Sequence, residues 1–378
     1  MATSFVGVMM AIRLSILAAL LMAKLIVAAE PTIETAILTS ETLTSEIDPV
    51  ELVGGNEITI DPFENRLRAL ESRVFSQTIC RPGCVAKDTG CPHWFAIADY
   101  LYWQVERDDL GIAILDPTGS GVPSGGNPIM SLNYGSQGGI RTAIGRQCAD
   151  GWIIGFTYTH LHSTDRQSFS PGGSQVLAVQ SSPATGLTNA DSVAARTEFG
   201  YDTFDLNAGR WFHPTDSLSL LFIGGVRFAS IDQELHVDYD GGAFVNGGIA
   251  APTDINSFGG RIGNALEWNL LPSLSLMGSS SVSLNAANID QYRREENAGI
   301  AVIDVNRSVD ALIPAAEISM AAQYSYGAWN VGVGYEWITW FGGVRPLSFS
   351  DSFNGGALAS STDNLGLHGL FLTLSASF

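Results

Sequence analysis

The stretch Leu370-Phe-Leu-Thr-Leu-Ser-Ala-Ser-Phe378 at the C-terminus indicates the fold class, because its residues alternate in polarity. Leu370, Leu372, Leu374, Ala376 and Phe378 fall on one face, and Thr373, Ser375 and Ser377 fall on the other. A period of two is the period of a β-strand. The same alternation runs through Trp329–Trp337 and Trp152–Thr159. The pattern therefore predicts strands with one apolar face.

Ten such segments follow one another from Trp94 onward, and the lengths of their connections alternate. We place the segments at 94–107, 136–148, 151–163, 194–211, 217–234, 255–269, 273–289, 307–325, 328–341 and 366–378. Short turns fall near 149–150, 212–216, 270–272 and 326–327, and long loops near 108–135, 164–193, 235–254, 290–306 and 342–365. Long loops on one side and short turns on the other are typical of bacterial transmembrane barrels. We expect an all-β, antiparallel transmembrane barrel of about ten strands over 94–378, with Leu110 to Leu115 as a candidate additional strand.

Composition supports a membrane barrel over a soluble β-sandwich, which is the alternative. Hydrophobic residues make up 46% of the chain and charged residues only 15%, whereas soluble proteins usually carry about 25% charged residues. Beyond the N-terminus, no stretch has the roughly 20 consecutive apolar residues of a membrane helix. A sheet in lipid must close on itself to pair its backbone. The eight tryptophans all lie within proposed strands, most of them near an end, as expected for aromatic girdles.

The net charge of −19, with Lys24 and Lys87 as the only lysines, argues against nucleic acid as a partner. Outer-membrane lipid and small solutes or ions are the partners that this composition favours. We find no phosphate-binding loop, zinc-protease or serine-hydrolase motif, so we predict no catalytic residue, cofactor or metal.

The N-terminal region reads as three segments that precede the barrel. Residues 1–29 resemble a cleaved signal peptide, with Arg13 before an apolar core and a small-residue site at Val27-Ala-Ala29; an uncleaved anchor is the alternative. Residues 30–60 form a polar leader without a period. Residues 61–93 combine an amphipathic helix over 61–77 with a cysteine-rich connector. An even strand number places this extension in the periplasm, where the helix would join copies of the chain or fold against the barrel rim.

Four cysteines occur, at Cys80, Cys84, Cys91 and Cys148. Export permits disulfides, and four cysteines allow three pairings that the sequence does not distinguish. Cys148 falls at a short turn, on the same predicted side as the other three. The spacing with His93 nearby would also suit a metal, but it matches no zinc pattern closely, so we favour disulfides.

Several charges fall on the faces opposite the apolar rows, and these are the candidate lumen-lining residues: Arg141, Asp205, Arg227, Arg261, Glu267, Glu317 and Glu336. An arginine facing lipid at the bilayer centre costs about 2–4 kcal/mol, so we expect them to point inward. One interpretation is a polar lumen that screens solutes. The other is a set of arginine–carboxylate pairs that brace a narrow barrel, which we favour because ten strands enclose little space. Asp99 falls on the same face of its strand as the apolar Leu101 and Trp103, so we expect a β-bulge or a local exception there.

His160, His162 and Asp165 sit at the predicted outer rim. Some ten-stranded outer-membrane barrels are proteases with Asp and His at that position. We favour the simpler interpretation that the two histidines belong to the interfacial belt with Tyr158, because acid–base chemistry needs a converging partner.

Four stretches resemble a known family: Trp94-Phe-Ala-Ile-Ala-Asp-Tyr-Leu-Tyr-Trp103, Gly224-Gly-Val-Arg-Phe228, Val333-Gly-Tyr-Glu-Trp337 and Asn364-Leu-Gly-Leu-His-Gly-Leu-Phe-Leu372. In order and spacing they are similar to the pore-forming outer-membrane proteins first described in Legionella, with relatives in planctomycetes. The resemblance covers the barrel and implies a porin-like or surface role in the outer membrane, without catalytic residues.

Two functions therefore stand as the main expectations, and a protease or lipase site at the outer rim is a minor third. The first is passive diffusion of small solutes or ions through a charged lumen. The second is a non-conducting surface anchor whose long loops bind partners.

Overall fold

The computed structural model describes residues 92–378 apart from 108–109, 120–125, 149–150, 183–184, 187, 343–347, 350–357 and 360–363. The predicted signal peptide, leader and helix, together with Cys80, Cys84 and Cys91, lie outside the described residues. No helix that could cross a membrane occurs in the part of the chain that the structure describes.

The described residues form strands β1 (His93–Glu106), β2 (Gly111–Asp116), β3 (Ile129–Ser131), β4 (Gln137–Gln147), β5 (Trp152–Phe169), β6 (Gln175–Ala178), β7 (Asn189–Ala190), β8 (Ser192–Thr215), β9 (Leu218–Gly241), β10 (Phe244–Ala250), β11 (Thr253–Leu271), β12 (Leu274–Asn297), β13 (Ile300–Tyr326), β14 (Trp329–Trp340), β15 (Ser348–Phe349), β16 (Leu358–Ala359) and β17 (Leu365–Ser377).

Ten of these strands close into one antiparallel barrel, in the order β1, β4, β5, β8, β9, β11, β12, β13, β14, β17 and back to β1. At the seam, the backbones of Trp94 and Phe378 exchange two hydrogen bonds of 2.8 Å. Closure pairs the backbone of every barrel strand on both sides, as a sheet in lipid requires. The predicted fold class and the ten strands are confirmed, and each strand lies within a few residues of its predicted position except where strands are longer.

The barrel strands alternate as the sequence pattern predicts, with large apolar side chains pointing outward. Tryptophans form a belt near the short turns, where Trp94, Trp152, Trp268 and Trp329 are each about half exposed. A second belt further along the strands consists of Tyr100, Tyr102, Phe204, Phe228, Phe258, Tyr335 and Trp337. Two aromatic belts that flank an apolar band are the expected surface of a barrel in a bilayer.

The first strand departs from its predicted facing. Leu101, Trp103 and Val105 point inward and are buried, while Tyr100 and Tyr102 point outward. Asp99 therefore faces the lumen in regular register with its neighbours, and the expected bulge does not occur. The prediction was wrong because it assumed that the most apolar row of the strand must face lipid, whereas this part of the lumen is itself apolar.

The strands on the long-connection side continue well beyond the apolar belt. Residues 290–306, predicted as a long loop, instead extend β12 and β13 into a hairpin. Its turn uses Ala298 at φ 53° and Gly299 at φ 73°. Positive φ at both central residues matches the turn whose twist suits two paired strands. We call this end of the barrel the outer end.

A second, four-stranded sheet in the order β3-β2-β6-β7 comes from the two long connections that precede β4 and β8. The candidate strand at Leu110 to Leu115 is part of it, as β2, and not of the barrel. We call these four strands the outer sheet. Leu110, Ile112 and Ala113 are buried with barrel residues in one apolar cluster, so the outer sheet packs against the outer end of the barrel.

Candidate functional site in the barrel lumen

Arg227 and Arg261 hold Asp205 and Glu317 in a buried ion-pair network across the lumen. The Arg227 Nε and Nη2 groups donate to the two carboxylate oxygens of Asp205, each at 2.6 Å, and Nη1 donates to Glu317. Arg261 donates to Asp205 at 2.8 Å and also to Glu317. Ser281 accepts from Arg261 at 2.9 and 3.1 Å and donates to Glu317 at 3.0 Å. Every arginine in this network therefore contacts two carboxylates.

Arg141 forms the second half of the network on the opposite wall. Its Nη2 donates to Glu336 at 2.6 Å and its Nη1 lies 3.6 Å from Asp99. The guanidinium carbon lies 5.3 Å from the centre of the Trp103 ring, within cation–π range. We call these residues the charged layer: Asp99, Arg141, Asp205, Arg227, Arg261, Ser281, Glu317 and Glu336.

Strand register and glycine spacing bring the charged layer together. Asp205 lies directly opposite Arg227 on β8 and β9, and Ser281 lies directly opposite Glu317 on β12 and β13. Beside them, Gly225 and Gly259 lie close to the neighbouring strand and have no Cβ that would collide with it. A Cβ there would come within 2.2 and 2.1 Å of neighbouring backbone oxygens. These glycines allow the close strand approach in which the long arginines meet the carboxylates.

The charged layer carries four carboxylates and three guanidinium groups, so it has a formal charge of −1. Arg227 and Asp205 are each 3% exposed, and Glu336 is 6% exposed. Charges so far from water are stable only when paired and hydrogen-bonded. Six of the seven predicted lumen-lining residues belong to this layer. The seventh, Glu267, is half-buried near the short turns and pairs with none of the described residues.

An apolar layer fills the lumen on the outer side of the charged layer. Trp103 and Trp340 are fully buried there, and Tyr201 packs edge-on against Trp340 with ring centres 6.3 Å apart. We call this layer the apolar plug, and its other members include Leu101, Phe199, Ile231, Leu365 and Leu367, each 0% exposed. The two layers are contiguous, since Arg141 of one contacts Trp103 of the other.

A cavity of about 320 Å³ occupies the half of the lumen nearer the short turns. Its sides are lined by Phe95, Ile97 and Ile153. Its end at the charged layer is bounded by Arg141, Arg227, Arg261 and Glu317. The open part of the lumen therefore ends at the charged layer.

A separate arginine–carboxylate pair lies beyond the aromatic belts, where the outer sheet meets the barrel. Arg293 donates to Glu295 at 2.7 Å, and both are 2% exposed. Glu295 accepts from the backbone N–H of Ser182 at 3.0 Å, and Arg293 donates to the carbonyl of Gln180. Because side chains of β12 bond the backbone that follows β6, this pair fastens the outer sheet to the barrel.

Tyr239 and Tyr134 add contacts at the same boundary. The Tyr239 hydroxyl donates to the Ile112 carbonyl, and the Tyr134 hydroxyl lies 2.5 Å from Thr197 Oγ1. Burial raises the pKa of Tyr239 above its usual value, so this phenol stays a donor at neutral pH. The outer mouth of the barrel is thus covered by packed and hydrogen-bonded structure.

The rim histidines do not converge with Asp165. His160 and His162 point outward, and His160 Nδ1 lies 2.9 Å from Asp202, which also accepts from Tyr158 at 2.6 Å. The Tyr158 ring stacks on Phe204 at 4.7 Å. Asp165 instead accepts from the backbone N–H of Asn133 at 2.9 Å. The two histidines therefore belong to the interfacial aromatic belt.

Cys148 is half-buried beside a short turn, and its predicted partners lie outside the described residues. Within the described ranges, no group of three or more His, Cys, Asp or Glu side chains is arranged to hold a metal ion.

Sequence reasoning missed two parts of the site, Asp99 with the inward row of β1 and the outer sheet. Asp99 could have been placed from the sequence. It lies on the same face of β1 as Leu101 and Trp103, and because a carboxylate avoids lipid, that face should point into the lumen. In the outer sheet only β2 carried a signal, as the candidate strand at Leu110 to Leu115. The other three strands carried none, since they are only two to four residues long.

The closed sheet, the two aromatic belts and the filled polar lumen define a class, the outer-membrane β-barrels. The family described as Legionella pneumophila major outer membrane protein precursor matches residues 90–378, most of the chain. The chain belongs to this family, and the resemblance seen in the sequence is confirmed. The protein is accordingly an outer-membrane protein.

Solved structures give weaker likenesses. The outer membrane protease OmpT from Escherichia coli is 15% identical, over 79% of this chain and 99% of that chain, with a TM-score of 0.44. A major outer membrane protein from Thermus thermophilus is 12% identical, over 76% and 100%, with a TM-score of 0.34. A Pseudomonas aeruginosa FadL homologue is 10% identical, over 76% and 90%, at 0.24. These scores are too low to support a functional argument. The search of curated proteins returned no match.

Proposed function

We propose that this protein is a structural barrel of the outer membrane, closed to solutes in the conformation described, which anchors the outer sheet at the cell surface. The observation that carries the proposal is the pairing of every arginine in the charged layer with two carboxylates. Charges that pair with one another stabilise the barrel wall, whereas charges that select solutes face open water.

Two further features support closure. The apolar plug adds a dry layer of large side chains beyond the charged layer, and the outer sheet covers the outer mouth. A ten-stranded barrel encloses only slightly more space than an eight-stranded one, whose interior side chains fill. The proposal assigns no catalytic role to any residue.

Passive passage of small solutes or ions is the second candidate function. It is favoured by the cavity of about 320 Å³ that reaches the charged layer from the short-turn side. Passage through this lumen would need the charged layer and the apolar plug to move apart. Arg141, Arg227, Arg261, Glu317 and Glu336 would then line the path, with Glu267 nearer its entrance.

Single-channel recording in planar bilayers distinguishes the two functions. We expect the refolded full-length protein to give no steady conductance steps while it is heat-modifiable on a gel and β-rich by circular dichroism. Steady steps whose size or cation preference changes in Glu317→Gln and Glu267→Gln, but not in the outward variant Asp304→Asn, would overturn closure and establish passage.

The N-terminal extension enters the same proposal. We place residues 30–93 in the periplasm, with 61–77 as a contact between copies or against the barrel rim. Protease added to intact cells should leave a tag inserted after residue 60 uncut, and should cut it after the outer membrane is permeabilised. Cutting in intact cells would place the extension outside.

A further inference from the structure

Three aspartates stand side by side on the outward face, just beyond the second aromatic belt. Asp232 lies opposite Asp254, and Asp254 lies opposite Asp290. All three are exposed, and none forms an ion pair with any residue that the structure describes. Like charges directly opposite each other on neighbouring strands destabilise a sheet. Partial burial, and then the charges of Asp254 and Asp202, raise the pKa of Asp232 above its usual value. The row is therefore suited to a cationic partner.

One level nearer the membrane, the outward residues are amides, hydroxyls and one more carboxylate. Asn288 Nδ2 donates to Asp310 Oδ1 at 3.1 Å and to Ser308 Oγ at 3.2 Å. On the neighbouring strands, Ser230 donates to Asn256 at 3.1 Å. These hydrogen bonds fix the side chains as a polar ledge directly below the three aspartates.

A shallow groove of about 650 Å³ runs below this ledge, on the membrane-facing surface of β9, β11, β12 and β13. Its floor is at Ala286, a small outward residue between large ones. Phe228, Phe258 and Leu312 form its walls, and the two phenylalanine rings pack at 4.6 Å. Asn288 and Asp310 form its upper edge. An apolar groove thus ends at a polar, acidic ledge.

We propose that this groove binds one outer-membrane lipid with an ammonium headgroup, whose acyl chain lies over Ala286 and whose ammonium group meets Asp310 and the aspartate row. An ammonium group offers three N–H donors and a positive charge, which match the carboxylate and amide oxygens of the ledge. The apolar walls lie in the belt that acyl chains cover.

Charge and geometry favour this occupant over two others. A divalent cation bridging to an anionic lipid would need several carboxylates around one point, and no such group occurs among the described residues. A second copy of the chain would bring its own aspartate row against this one, and a stable protein interface needs about 1,000 Å² with good complementarity.

Native mass spectrometry of the refolded full-length protein tests the proposal. Protein released from micelles containing phosphatidylethanolamine, phosphatidylcholine and phosphatidylglycerol in equal amounts should retain phosphatidylethanolamine at least about fivefold over phosphatidylglycerol. Asp310→Asn should abolish the headgroup preference, and Ala286→Leu should reduce retention of all three by filling the groove. The matched controls are Asp304→Asn, an exposed aspartate further out on β13, and Val282→Leu, an outward residue on β12 that does not line the groove.

Several results would overturn the proposal. Equal retention of the three lipids by the folded wild type, or an unchanged preference in Asp310→Asn, would show that the ledge does not select an ammonium group. Preference for phosphatidylglycerol that appears only with Mg²⁺ would assign the ledge to a bridging cation. Dimers that disappear in Ala286→Leu would assign the groove to a second copy. Asp310→Asn decides the headgroup question even if Ala286→Leu fails to fold.

Discussion

The charged layer and the apolar plug fill neighbouring sections of the same lumen with opposite chemistry. In the charged layer, Arg227 and Asp205 are each 3% exposed, nearly as deeply buried as the tryptophans of the plug at 0%. The plug gains stability from each apolar contact separately, since dispersion and transfer energies are nearly additive. The charged layer gains little unless every member is present, because removing one leaves an uncompensated buried charge.

Burial alone therefore does not tell how a residue contributes to stability. A plug residue can be shortened at a cost set by the space it leaves, whereas a charged-layer residue can be removed safely only together with its partners.

Arg141→Met should cost about 3–5 kcal/mol of unfolding free energy, because Asp99 and Glu336 lose their partner while still buried. Urea unfolding in lipid vesicles, followed by tryptophan fluorescence, measures this loss. The triple variant Arg141→Met, Asp99→Asn, Glu336→Gln should recover most of it, since no charge is left unpaired. A triple variant no more stable than the single one would show that the ion pairs themselves carry the stability, and the comparison would fail.

Ile231→Ala should cost about 2–4 kcal/mol, because Ile231 is fully buried in the apolar plug and its truncation leaves a cavity. Ile231→Val is the matched control, with an expected loss of about 0.5–1.5 kcal/mol. The same urea titration compares them. A loss that does not scale with the volume removed would mean that the plug, like the charged layer, acts as a unit.

Glu295→Gln should release the outer sheet without unfolding the barrel. The carboxylate that accepts from Ser182 and pairs with Arg293 becomes a neutral amide, which weakens the boundary by about 2 kcal/mol, or about 30-fold in its opening equilibrium. Limited proteolysis should then cut within residues 175–190 faster, by about the same factor. Glu296→Gln, at the next position on the outward side, is the control. Equal cutting of the two variants would show that this ion pair does not hold the outer sheet.

Asp232→Asn should stabilise the folded protein slightly at neutral pH, by less than about 1 kcal/mol because the site is exposed. The pKa of Asp232 is raised in the folded state, so folding favours its protonated form. The wild type therefore loses stability as pH rises from about 3.8 through the raised pKa, whereas the variant does not. Unfolding midpoints of the two proteins should converge below pH 4 and separate above it. Separation that grows on acidification would reverse the sign and contradict the prediction.

Most of the barrel was predictable because the lipid-facing side of a membrane strand must be apolar. Leu372 to Phe378 alternate cleanly, since one side meets lipid and the other meets a lumen of polar or small residues. The same logic located six of the seven charges of the charged layer. It failed for β1, where Leu101 and Trp103 are apolar on the lumen side, and for residues 290–306, where a polar hairpin resembles a loop.

The class of protein, the number of barrel strands and the inward side of most charges follow from the sequence, because the period of two and the cost of a charge in lipid are local properties of each strand. The filling of the lumen follows instead from contacts between strands. Which arginine meets which carboxylate depends on the register between strands far apart in the chain, as for Arg141 and Glu336. The apolar plug, and the contacts of Arg293 and Glu295 with the outer-sheet connection, depend likewise on residues that are far apart in the chain.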